Sequence, residues 1–81
     1  MGKQITLKRP INLAGQTVRC LEFRRPLVAD FLAVSEAGKD TGLAKDLFLA
    51  ARLSGCSEKD LALLDMADFL NIQKTLLKYL D

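Results

Sequence analysis

Three groups of residues in this chain have the types that chemistry needs: the thiols Cys20 and Cys56, the carboxylates Asp65 and Asp68, and the charged corner LAARLSGCSEKDLALL at residues 49–64. Thiolates at ligand spacing hold zinc, and a thiolate beside an imidazole is a nucleophile. Cys20 and Cys56 form no CxxC, and the chain has no histidine. Ser-His and Cys-His dyads and His-ligated metal sites therefore cannot be assembled within one chain. Two thiols alone would leave a zinc site half empty, and free, buried thiols are the expectation in a reducing cytosol.

Paired carboxylates can divide acid and base roles. Asp65 and Asp68, however, stand at the start of a helical pattern, where one caps the helix and the other favours its positive end. Gly38 and Gly42 are no phosphate loop, because no strand leads into them and no GK[ST] follows. The parts for catalysis are missing. The expectation is a protein that is not an enzyme and needs no cofactor and no metal.

The corner at residues 49–64 has the outline of a DNA-reading helix-turn-helix, with small Ala51, Gly55 at the turn and Leu61 on the next helix. A recognition helix offers Arg, Lys, Asn or Gln to bases and phosphates. Here Lys59 is outnumbered by Glu58, Asp60, Asp65 and Asp68. The same spacing is what any tight helical corner requires. A small DNA-binding regulator is thus the alternative function, and no specific nucleic acid is expected as partner.

The elements that position these residues follow from periodicity and punctuation. Ile5-Thr6-Leu7-Lys8 alternates as a strand with one buried face does, while Pro10 suits an edge or a bend. Gly15 can turn the chain, and Thr17 to Phe23 is rich in strand formers. A β-hairpin over about 4–24 is predicted, with one face on helices.

Helices are predicted over about 26–37, 42–54, 58–64 and 66–80. Pro26 opens the first, Leu27, Phe31 and Val34 mark its inner face, and Gly38 stops it. Asp40-Thr41-Gly42 supplies caps for the second, whose face is Leu43, Leu47, Ala50 and Ala51, with Gly55 as its stop. Ser57 to Asp60 approximates a capping box for the third. Asp65 caps the fourth, where Met66, Phe69, Leu70, Gln73, Leu76, Leu77 and Leu80 sit at helical spacing. The fold class is α+β, a hairpin followed by three to four short helices.

With 81 residues the chain is expected to form one domain, and folding hides only about 60–65% of the unfolded surface at this size. Its 49% apolar and 27% charged residues are those of an ordinary globular protein, with no run long enough to span a membrane. The N-terminus lacks the apolar stretch of a secretory signal, so an intracellular protein is expected. Charge is divided unevenly. Residues 1–25 carry six cations and one anion, net +5, and residues 26–81 six cations and nine anions, net −3.

Taken together, the run from Ile5 to Ile11 through Gly15, the segment Leu21-Glu22-Phe23-Arg24-Arg25-Pro26 with Asp30-Phe31, the corner Leu49 to Gly55 with Ser57 to Leu61, and Leu64-Asp65-Met66-Ala67-Asp68 resemble the tail assembly chaperones of Mu-like and P2-like contractile-tailed phages and prophages. The resemblance implies a non-enzymatic assembly factor of virion morphogenesis. Such chaperones bind the long helical tape measure protein, shield its apolar surface and help tail tube subunits polymerise around it. It further implies a frameshifted longer form as partner, residence in the host bacterial cytoplasm and absence from the mature virion.

Phe48, Leu53, Met66, Leu77 and Tyr79 lie at or beyond the edges of their helices' apolar stripes. They are the candidate partner-binding residues, for a client or for a homo-oligomer. Gly55, Ser57 and Asp65 are assigned as structural caps.

Overall fold

The computed structural model describes residues 2–39 and 42–79, in the order β1 (Lys3–Leu13), β2 (Gln16–Phe23), α1 (Val28–Glu36), α2 (Gly42–Ser54), α3 (Glu58–Leu61) and α4 (Met66–Lys78). The architecture is the expected α+β arrangement of a hairpin and helices. Asp40, Thr41 and Leu80, assigned above to caps and to the last stripe, lie outside the described residues.

The hairpin is antiparallel and turns at Ala14 and Gly15, both with positive φ, at 52° and 81°. Two left-handed residues match the right-handed twist of the strands, and glycine takes that conformation without strain. Asn12 tightens the turn, its Oδ1 accepting the Gly15 N–H at 3.1 Å.

Near the turn Ile11 pairs with Val18, and nearer the open end Thr6 pairs with Cys20. The four residues Leu7 to Pro10 therefore face Arg19 alone. This bulge explains how Pro10, which has no N–H to give, sits inside an 11-residue strand. It also leaves the N–H groups of Lys8 and Arg9 outside the ladder.

One face of the hairpin is apolar. Ile5, Leu7, Ile11, Leu21 and Phe23 form the core with Ala50 and Leu53 of α2, Leu61 of α3, and Phe69 and Ile72 of α4. In this two-layer arrangement α2 lies against β2 and α4 against β1, while α1 leans on α2. Cys20, expected to be buried, points the other way and is exposed; both thiols are free. Alternation along β2 puts Leu21 and Phe23 inward and Cys20 between them on the solvent side.

Three helical expectations need correction. The first helix starts at Val28, two residues after Pro26, because the Asp30 carboxylate accepts the Leu27 N–H at 2.7 Å and fixes Leu27 as N-cap. Its inner face is Asp30 and Val34, whereas Leu27 and Phe31 are exposed. The third helix is one turn, not seven residues, and ends in two tight turns from Leu63 and Leu64 back to Asp60 and Leu61. On α2, Leu43 is exposed, and burial runs through Ala50 and Leu53 instead.

Candidate functional site

Two buried carboxylates hold the helices and the hairpin in place. Asp68, 3% exposed, accepts the bulge's stray N–H groups, Lys8 to Oδ1 and Arg9 to Oδ2, each at 3.0 Å. The sequence suggested only a first-turn acid. These two bonds, first Lys8 and then Arg9, hold its carboxyl below the usual range against the opposing cost of burial.

Asp30, 1% exposed, sits where β2 leads into α1. The Arg24 guanidinium grips it at both oxygens, at 2.6 and 2.9 Å, and Arg52 Nε donates to Oδ1 at 3.0 Å. Arg24 foremost, helped by the Leu27 N–H and Arg52, keeps the Asp30 carboxyl far below its ordinary value despite desolvation. One carboxylate thus ties the hairpin exit, α1 and α2 together. A further tie comes from Tyr79, whose Oη donates to the Phe23 carbonyl and whose own carbonyl accepts from Arg25.

With the core closed by these clamps, an apolar groove of about 380 Å³ remains on the helical side. It is lined by Pro26, Phe31 of α1, Lys45, Asp46, Leu49 and Leu53 of α2, and Gln73, Leu76 and Leu77 of α4. Gln73 Nε2 donates to Asp46 at 2.6 Å across the α2–α4 junction. Outside the groove lining, Val28 and Leu32 of α1, its N-cap Leu27, and Met66 and Leu70 of α4 are also exposed apolar residues.

Of the five candidate partner-binding residues, Met66 and Leu77 are 52% and 67% exposed and share one face of α4. Leu53 is in the core and shows only its edge to the groove. Phe48 is half-buried beneath the Lys39 ammonium, 5.4 Å from its ring, and Lys39 in turn pairs with Glu58. Tyr79 is half-buried and spent on the clamp just described.

Of the groove lining, sequence reasoning singled out Leu53 and Leu77 for binding and missed Pro26, Phe31, Lys45, Asp46, Leu49, Gln73 and Leu76. Helical periodicity assigned Phe31 to the inner face of α1, and the structure exposes it instead, because Asp30 and Val34 take that face. The charges of Lys45 and Asp46 were legible, and their neighbours on α1 and α4 were not.

Of the residues assigned to capping, Ser57 Oγ accepts the Asp60 N–H at 3.0 Å and Asp65 Oδ2 the Ala67 N–H at 3.1 Å. Gly55 ends α2 with φ of 79°, its N–H bonded to the Ala51 carbonyl. The corner offers little to a DNA groove. Its α3 is four residues long, Glu58 is occupied by Lys39, and Asp68 is turned into the protein. Among the described residues no helix is long and apolar enough to cross a membrane.

A protein-family model described as "phage tail assembly chaperone proteins, E, or 41 or 14" matches residues 4–80 of the chain. Searches of curated proteins and of solved structures found no match.

Proposed function

Since the chain belongs to the phage tail assembly chaperone family, we propose that it binds the tape measure protein and promotes assembly of the tail tube around it, without catalysing a reaction. The observation that carries this is the apolar groove lined by Phe31 of α1 and Leu77 of α4, on helices that also expose Val28, Leu32, Met66 and Leu70. A domain with a complete core elsewhere gains nothing in its own stability from exposed leucines. Covering them stabilises a complex by about 25 cal/mol per Å² of apolar surface, less the cost of ordering both partners.

A long helical client fits that surface, because an amphipathic helix lays its apolar stripe into a groove between helices. Free in the host cytoplasm, such a client aggregates through the same stripe. The chaperone covers it until tube subunits do so, and then leaves the particle.

Co-expression with the tape measure protein tests the proposal. The client should become soluble and co-purify with the chain, and mass spectrometry of finished particles should find the tape measure protein and not the chaperone. A client that stays insoluble and is not retained would reject it.

A further inference from the structure

We propose that the α1/α2/α4 groove takes a single amphipathic helix whose apolar stripe is flanked by acidic residues; this rests on the client-binding function above and names the chemistry of the bound segment.

The spacing on α4 points to a helix. Met66, Leu70, Gln73 and Leu77 follow one another at intervals of four, three and four residues, which brings them to one side of the helix. That is the spacing of a seam that meets another helix. Phe69 and Ile72 lie in the core, so the seam runs beside the buried face, and its apolar members Met66, Leu70 and Leu77 stay exposed. From Met66 to Leu77 the seam is about 17 Å long, enough for about three turns of a partner.

Charge points to the flanks. Lys45 lines the groove, and Lys74 and Lys78 follow the seam residues Gln73 and Leu77 on α4. Among the described residues none of these three lysines forms an ion pair, whereas Arg9, Arg24, Lys39 and Arg52 all do. Among the described residues the groove's one carboxylate is Asp46, which already accepts from Gln73. Among the described residues, three ammonium groups outside any ion pair against one engaged acid favour glutamate or aspartate beside the incoming stripe. Parallel pairing of α4 with a second copy would bring Lys74 and Lys78 against the same lysines of that copy and is disfavoured.

Two synthetic helical peptides with the same leucine seam, one flanked by glutamates and the other by lysines, distinguish these outcomes by fluorescence anisotropy with the full chain. The glutamate peptide should bind about tenfold tighter or better, and the joint substitution K74E/K78E should reverse the preference. Leu77→Asp and Leu70→Asp should each weaken binding about tenfold, with thermal melts checking that these exposed positions leave the fold intact. Equal binding of both peptides, indifference to Leu77→Asp, or a dimer of the chain that Leu77→Asp dissolves would each overturn the proposal.

Co-expression separates this failure from failure of the client function itself. If the L70D/L77D variant solubilises the tape measure protein as well as the unaltered chain does, the groove assignment is wrong and client binding stands. If the unaltered chain does not solubilise it, both fall.

Discussion

The junction between hairpin and helices and the face formed by α1 and α4 are made of opposite materials. At the junction, Asp30 and Asp68 are buried charges with every oxygen engaged by an arginine or a backbone N–H. On the α1/α4 face, Phe31, Leu70 and Leu77 are apolar groups left in water. Buried carboxylates tolerate few arrangements, because an unmet partner costs the full desolvation of that group. Exposed leucines on a helix tolerate many. A rigid platform that presents an adaptable surface is what the proposed binding of a helical client would require.

The comparison breaks most visibly in the core beneath the platform. Ile72→Ala, at a fully buried site, should destabilise the fold by about 3–4 kcal/mol in denaturant titration. Next comes the clamp itself. Asp68→Ala strands the N–H groups of Lys8 and Arg9 in the bulge and should cost about 2–3 kcal/mol, with faster amide exchange across Leu7 to Ile11. A loss below about 0.5 kcal/mol would mean that water replaces the carboxylate and that the junction is no clamp.

Acid should loosen the same junction. Both carboxyls are held below their ordinary values, so their contribution is complete above the unfolded-state pKa of about 4 and is lost as pH falls toward the lowered folded values. The melting temperature should hold from neutral pH to about 5 and drop increasingly below about 4. Asp68→Asn should flatten part of that drop.

Smaller effects sharpen the contrast. Ala14→Gly relieves a non-glycine left-handed residue and should stabilise the hairpin by about 0.5–1 kcal/mol. L70D/L77D on the open face should change stability by no more than about 0.5 kcal/mol while impairing client solubilisation. A large loss of stability there would make the face part of the core and remove its claim to be a binding surface.

Much of the local structure was legible. Gly15 as a turn, Gly55 as a stop, and the capping of α3 by Ser57 and α4 by Asp65 are decided within about four residues of chain. The candidate site was legible only in part. Met66 and Leu77 stood out at the edge of the α4 stripe, but Leu27 and Phe31 were assigned to the inner face of α1 and the structure puts them outside. The buried charge of Asp30 claimed that inner face, and periodicity counts apolar residues without seeing that an arginine pair can bring a carboxylate in.

The sequence by itself determined the order of elements, the turn at Gly15, the stop at Gly55, the caps Ser57 and Asp65, and the lack of histidine, because these depend on residue types and short-range backbone geometry. Only the tertiary structure decided what Asp68 does. Its partners are 59 and 60 residues away in a bulge whose N–H groups exist as orphans only once β1 has paired with β2. The groove has the same origin: Pro26, Phe31, Leu49 and Leu77 become one surface when α1, α2 and α4 are brought together by the clamps beneath them. Contacts over such separations carry no local signature, since each residue's neighbours along the chain are satisfied whether the distant partner arrives or not.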